Sequence, residues 1–373
     1  MKNTNARIFI LCPCSEILSG GVKQIYRHVD ILNQNGFQAF VLHKKLGFRC
    51  SWFENTTQIA YKANIRNYSG NHDRTWHALL RRWKRALFTP LWKKIYSSLY
   101  QCGALMTRNQ GGVLIKQFEK TDYLVIPEFY GLDIADFEPG IPKIIFNQGA
   151  YLTFGGYSLD KNDLNTPYLS NEVIAAMVIS QDSYEYLTYV FPQLNLVRLY
   201  NGIDSGMFKY TSEKKKQIAF MPRKLPKEIT QVINILKYRG ALQGFELVAI
   251  ANKDEEEVAK ILQESLIFLS TGTQEGFSLP PAEAMACGCI VVGYHGNGGK
   301  EFFKEEFCYP IQATDIITFA KTVESVIHEY EKDQTPILRK GQKASEFIKK
   351  TYSLHKEEEA IVGFWERICG IPS

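Results

Sequence analysis

Residues 266–293 read LIFLSTGTQEGFSLPPAEAMACGCIVVG. LIFLS is an unbroken apolar run of strand length that stops at Ser270. TGTQEGFSL is a loop, and Pro280-Pro281 opens a helix of small and straight-chain residues that Gly288 ends. CIVVG then returns to an unbroken apolar run. Strands that alternate would be wet on one face; unbroken ones are buried on both, and two of them joined through a helix form a parallel α/β unit.

The same alternation runs outward in both directions. Upstream lie RIFIL at 7–11, then Val22, Ile25, Tyr26, Val29 and Leu32 at helical spacing with a stop at Asn35-Gly36, then QAFVL. YLVIP at 123–127, KIIF at 143–146 and AAMVIS at 175–180 are further strands, and Ser180 caps a helix whose first turn carries Asp182. In the second half, IAFM and ELVAI join the two runs already quoted. The chain of 373 residues exceeds one ordinary core. The expected architecture is α/β, with two doubly wound parallel-sheet domains of Rossmann type that meet near residues 190–205, where Phe191-Pro192 ends a helix and Asn201-Gly202 supplies a turn.

Ligands of such sheets bind at the carboxyl edge of the strands, which is where TGTQEGFSL falls. Gly276 lets backbone approach a ligand. The amides of Gly276, Phe277, Ser278 and Leu279, with the helix N-terminus behind them, form an anion site without any lysine. Glu283, near the third helical position, favours the helix dipole in any protein. Beside a phosphate it gains a second use, as acceptor for the hydroxyls of a ribose. Glu275 precedes the glycine and faces the far side of the same anion.

Composition excludes several classes. Hydrophobic residues at 45% and charged ones at 22% are those of a folded protein. No stretch reaches the ~20 apolar residues of a membrane span, and the first residues do not form a signal peptide, so a cytoplasmic protein is expected. Cys12/Cys14 and Cys287/Cys289 are spaced C-x-C, which is not zinc or redox spacing, so the eight cysteines read as reduced and structural, with no metal. A net charge of +5 does not by itself imply nucleic acid, and no nucleic-acid module is recognisable. The charge is uneven, however. Segment 74–94 interleaves Arg74, Arg81, Arg82, Lys84, Arg85, Lys93 and Lys94 with Trp76, Leu79, Leu80, Trp83 and Leu87. That pattern suits a helix lying on an anionic membrane surface, hence a peripheral position on its cytoplasmic face; it suits equally a helix packed on the first core with its basic face solvated.

EGFSLPPAEAMACGCIVV resembles the E-x7-E motif of the retaining glycosyltransferases of the GT-B fold, family 4 type, with Glu275 and Glu283 as its two glutamates. SGGV at 19–22 resembles the glycine-rich first loop of that family, YNGID at 200–204 its N-G-V-D signature, and MPRKLPK at 221–227 the place of its diphosphate-binding cations. The resemblance implies a GT-B fold whose parts are a first domain at 1–195 for the acceptor, a second at 196–350 for the donor, and a helix at 351–373 crossing back to the first. It implies transfer of a sugar from a nucleotide diphosphate donor to a glycan or lipid-linked acceptor, with retention and no metal or other cofactor. Glu275, Arg223 and Lys227 are then the catalytic set, with Lys224 the rival to Lys227. Gly20, Gly21, Gly276, Phe277, Ser278, Leu279 and Glu283 bind donor, and Gly298 and Gly299 border it.

Many members carry a histidine near the reacting sugar. Here Asn147 and Gln148 stand in the comparable stretch, able to hydrogen-bond but not to act as acid or base. His295 reads as a loop residue. A nicotinamide oxidoreductase would need G-x-G-x-x-G after the first strand and an acidic residue after the second, and both are missing. A sugar epimerase, a phosphorylase and a degenerate nucleotide-sugar-binding partner subunit are the other readings.

Overall fold

The computed structural model describes residues 6–62, 111–157, 159 and 165–371. The basic segment 74–94 lies outside the described residues. The first half builds β1 (Arg7–Leu11), α1 (Gly20–Gln34), β2 (Gln38–His43), β3 (Ile59–Tyr61), β4 (Val113–Leu114), β5 (Tyr123–Pro127), β6 (Lys143–Asn147), β7 (Val173–Val178), α2 (Gln181–Val190) and β8 (Leu196–Arg198). These eight strands form one sheet, ordered β4-β3-β2-β1-β5-β6-β7-β8, and every pair is parallel.

The second half builds β9 (Lys215–Phe220), α3 (Pro226–Tyr238), β10 (Glu246–Ala249), α4 (Glu255–Glu264), β11 (Ser265–Ser270), α5 (Leu279–Ala286), β12 (Ile290–Gly293), β13 (Tyr309–Pro310), α6 (Ile316–Lys332) and α7 (Gln334–Thr351). Its five strands are ordered β10-β9-β11-β12-β13, again all parallel. The chain closes with α8 (Leu354–Ile368).

Local chemistry accounts for these elements. All six residues of β11 and all four of β12 are buried, as unbroken apolar runs require. Val22, Ile25, Tyr26, Val29 and Leu32 form the buried stripe of α1, and Gly36 beyond its end has φ +82°. Ser180 caps α2 by accepting from the Ser183 amide at 3.2 Å. Two boundaries differ from expectation. β8 still pairs with β7, Ala176 opposite Leu196 and Val178 opposite Arg198, so the first sheet runs three residues past position 195. α5 starts at Leu279 because Ser278 turns the chain at φ +67°, which makes Glu283 its fifth residue.

In each sheet the order reverses once, between β1 and β5 in the first and between β9 and β11 in the second. Loops at the carboxyl ends beside these reversals diverge and leave a crevice. The first crevice is flanked by the loop before Gly20 and by the end of β5. The second is flanked by the 221–225 turn and the 271–278 loop.

α8 returns to the first sheet and lies on α1. Trp365 is fully buried there, and its Nε1 donates to Nε2 of His28 at 2.9 Å. Burial holds His28 neutral, its pKa pushed down to about 3, so the acceptor nitrogen stays available at any ordinary pH. Asn35 donates to Glu358 at 2.8 Å, and Arg27 pairs with the buried Glu357 at 2.8 Å. Trp365→Ala should cost about 3–5 kcal/mol, read as a shifted denaturation midpoint with the second sheet's signal largely retained. A loss under about 1 kcal/mol would mean that α8 does not hold the first domain.

Candidate functional site

The two carboxyl edges face each other across a cleft of about 510 Å³. On the first-domain side its wall begins with Ile17, Leu18 and Ser19 and continues into the first turns of α1. Gly20 and Gly21 are placed there by close approach: a Cβ on Gly20 would stand 3.0 Å from Leu279 Cδ1, and one on Gly21 3.0 Å from Gln148 Oε1. Ser19 caps α1 without a side-chain bond, so the first amides of that helix have no side-chain acceptor. Gln148 leans over the same turn, its Nε2 donating to the Gly21 carbonyl at 3.3 Å.

The opposite wall is the 271–278 loop and α5. A Cβ on Gly276 would stand 1.7 Å from the carbonyl oxygen of Gln148. What approaches Gly276 most closely is therefore the first domain's backbone. The loop is held by two non-glycine residues in the left-handed region, Gln274 at φ +53° and Ser278 at φ +67°, a cost that clusters at functional sites. It is braced from behind by the 294–299 loop. The Glu275 amide donates to Gly296 at 2.8 Å, the Gly298 amide returns to Glu275 at 3.2 Å, and Ser278 Oγ donates to the His295 carbonyl at 3.2 Å. His295 itself accepts the Asn297 amide on Nδ1 at 2.8 Å. Gly298 thus supports Glu275 from behind, the Gly299 amide donates to the His295 carbonyl at 3.0 Å, and neither glycine lines the cleft.

Glu275 is ion-paired with Lys224, which the turn after β9 delivers across the second crevice. Arg223 is exposed, its Nη1 3.5 Å from the Leu18 carbonyl of the other domain. Lys227 lies in the first turn of α3, exposed and outside the cleft lining. The reason is local. Leu225 takes φ +44°, and Thr271 Oγ1 fixes the preceding Lys224 carbonyl at 2.7 Å, so the chain turns away before position 227. Lys224 is the lysine that the structure brings to Arg223 and Glu275.

Glu283 lies deeper, its carboxyl pushed up to about 7 by burial, raised further by Glu255 and opposed by Lys23 and Arg223. Phe277 is 2% exposed, with its ring 5.3 Å from that of Phe302 and 5.1 Å from that of Tyr352. It offers the cleft only its backbone. Asn147 is buried away from the cleft: Nδ2 donates to Thr153 Oγ1 at 3.0 Å and Tyr168 OH at 2.7 Å, and Oδ1 accepts the Gly149 amide at 3.2 Å. Of that pair only Gln148 lines the cleft.

Three residues escaped the sequence reading. Lys23 of α1 and Glu255 of α4 are ion-paired across the cleft. Helical spacing carried a usable signal for Lys23, since Gly20, Lys23 and Arg27 fall on one face. Glu128, at the end of β5 beneath the Gln148–Gly149 turn, has a buried carboxyl pushed up to about 7, and the amides of that turn oppose the shift. Its only sequence signal was its place directly after an apolar strand. Among the described residues no group of three or more His, Cys, Asp and Glu is arranged to hold a metal ion, and no helix is long and apolar enough to cross a membrane.

Gly276→Ala should force the walls apart, lowering stability by about 1–3 kcal/mol and widening the scattering envelope. An unchanged melting curve with an unchanged scattering profile would show that the Gln148 contact does not set the cleft width.

Residues 245–343, which hold Glu275, Glu283 and their loop, match the family described as Glycosyl transferases group 1. An alpha-1,6-glucosyltransferase of Actinobacillus pleuropneumoniae serotype 7 is 25% identical over 186 residues, covering 48% of this chain and 54% of that protein. The chain thus matches about half the length of that curated relative. Sucrose-phosphate synthase from Thermosynechococcus elongatus superposes with a TM-score of 0.62 at 11% identity, over 99% of this chain and 100% of that one. TarM gives 0.60 at 11% identity, over 99% of each chain. Anabaena HepE, solved with UDP and glucose, gives 0.54 at 12% identity, over 97% and 99%. Residues 245–343 carry a glycosyl transferases group 1 domain, set in a chain whose two facing sheets have the GT-B fold.

Proposed function

We propose that the chain is a retaining, metal-independent glycosyltransferase that moves a sugar from a nucleoside diphosphate donor to a glycan or lipid-linked acceptor. One observation carries the reading. The N-terminus of α5 and the Glu275–Lys224 pair face the N-terminus of α1 across a single cleft, with Arg223 at its edge and Glu283 on its floor.

A diphosphate in this cleft meets backbone donors from both sides. As the bond from the anomeric carbon to the β-phosphate breaks, negative charge builds on that phosphate. Arg223 and Lys224 supply fixed positive charge where it develops, and in a site closed to bulk water such charge lowers the barrier most effectively. When Lys224 turns to the phosphate, Glu275 is released to accept from hydroxyls of the departing sugar. Glu283 accepts from the ribose. With retention, the acceptor oxygen attacks the face that the phosphate leaves, and a phosphate oxygen takes its proton, so neither glutamate serves as nucleophile or base. Domain closure around the donor keeps water from competing as acceptor. The fold shared with HepE and the match to the glucosyltransferase support a UDP-hexose as the first donor to try.

Calorimetry and thermal shift against UDP-, GDP- and ADP-sugars in a chelator should give stabilisation by one nucleotide, lost in Glu283→Ala. Silence across all of them would favour a degenerate partner subunit. Lys224→Ala should lower kcat by about 10²–10³, the scale for losing one transition-state donor, while Lys227→Ala stays within a few-fold of wild type. The reverse ranking would move the cation to Lys227.

The carboxyl of Glu283 adds a pH signature. Ribose binding uses the carboxylate, so donor affinity should rise with pH through about 7 and fall by up to tenfold per unit below it, with proton release on binding. Glu283→Gln should flatten that dependence. A wild-type affinity unchanged between pH 6 and pH 8 would remove the carboxylate from the donor site.

A further inference from the structure

Apart from Arg223, which reaches only the Leu18 carbonyl, the cations that line the cleft are ion-paired. Arg27 pairs with Glu357, Lys224 with Glu275, and Lys253 with Glu257. Each of these joins residues on one side of the cleft. Lys23 and Glu255 differ, because α1 belongs to the first sheet's layers and α4 to the second's. Among the described residues two further ion pairs join the halves, Arg198 with Glu301 at 2.7 Å and Lys300 with Asp182 at 3.7 Å, and neither lines the cleft.

Each partner is held by its own helix. Lys23 lies one turn beyond Gly20 and one turn before Arg27, which Glu357 anchors. Glu255 is the first residue of α4, whose start is fixed by a capping box: Asp254 accepts the Glu257 amide at 2.8 Å and Glu257 accepts the Asp254 amide at 3.2 Å. The pair therefore acts between two rigid supports, and rotation of one domain against the other must change its length. It also borders the donor floor, where Glu255 and Glu283 repel and Lys23 attracts both.

We propose that Lys23 and Glu255 are positioning residues that hold the two domains closed over the nucleoside end of the cleft. Breaking the pair removes the attraction of Lys23 on the first domain for Glu255 and Glu283 on the second, which favours the open arrangement. The donor-affinity consequence rests on the reading above; the closure consequence does not. The side chains are 32% and 39% exposed, so the effect belongs to the modest class of solvated ion pairs.

The test uses the full chain with UDP as probe, together with small-angle scattering of the protein without nucleotide. Lys23→Ala and Glu255→Ala should each enlarge the radius of gyration and weaken UDP binding about two- to five-fold. The double alanine variant should be no worse than either single one, and the charge swap Lys23→Glu with Glu255→Lys should restore both readouts. Additive losses, or a swap as poor as Lys23→Ala, would overturn the proposal and make Lys23 a direct ligand of the nucleotide. Unchanged scattering in both single variants would overturn it as well. Failure of the wild type to bind UDP, GDP or ADP would sink the donor reading instead, while scattering still decides the ion pair.

Discussion

The contact on which the site depends is the one between the Gln148 carbonyl and the α-carbon of Gly276. Two parallel sheets can each present a carboxyl edge, but facing edges form one site only if their loops come within reach of one small ligand. Side chains at that contact would hold the edges apart by their own thickness. Gly276 removes the obstacle from one wall, since any Cβ would collide with the carbonyl. Gly20 removes it from the other, where Leu279 presses on α1, while Gly21 makes room for Gln148 within the first wall. The glycines of this cleft thus act first on the distance between its walls, and through that distance on whatever the walls hold.

Charge follows the same logic. A cleft built from two helix N-termini already favours an anion, and added cations must not collapse onto protein carboxylates too tightly to exchange. Lys224–Glu275 and Lys23–Glu255 are both partly exposed, which keeps their attraction small and their partners replaceable. Glu283 lies deeper on the floor, where burial, with Glu255 adding to it, pushes its carboxyl up to about 7. Exchangeable pairs at the wall and one poised carboxyl on the floor suit a site that must take in a doubly charged group and then let it leave.

Much of this was legible in the sequence, for identifiable reasons. Unbroken apolar runs in β11 and β12, and at the end of β9, pointed to strands covered on both faces. Glu275, Gly276 and Glu283 were legible because strand, loop and helix are contiguous, so their relation is local. Gly20 and Gly21 were found for the same reason. What failed to show was whatever depends on backbone turns or on the other domain. The left-handed Leu225 decides between Lys224 and Lys227, and no propensity announces a leucine at φ +44°. Asn147 and Gln148 are neighbours on the chain, yet the end of β6 sends one inward to Tyr168 and the other over the cleft. Lys23 and Glu255 are 232 positions apart, and only the facing of two separately folded sheets makes them partners.

The route of the chain explains why such long-range pairs can matter. The chain crosses between the sheets twice, once after β8 and once between α7 and α8, and the crossings touch where the Ile203 amide donates to the Tyr352 carbonyl at 2.8 Å. Glu301 gathers the region around them. It accepts from Arg198 at 2.7 Å, from the Tyr352 hydroxyl at 2.8 Å and from the first amide of α2 at 2.8 Å. A charged acceptor with three donors from both halves resists separation there more strongly than neutral bonds would. Rotation about such a pivot leaves the Glu301 bonds nearly unchanged and changes the contacts inside the cleft. Gln148 against Gly276 limits how far the walls can approach, since overlap of a carbonyl with backbone rises steeply. Lys23 with Glu255 sets how readily they part, since a solvated ion pair weakens gradually with distance. A hard stop on closure and a soft restraint on opening, both working against one firmly bonded pivot, give the cleft a defined closed width without making it rigid.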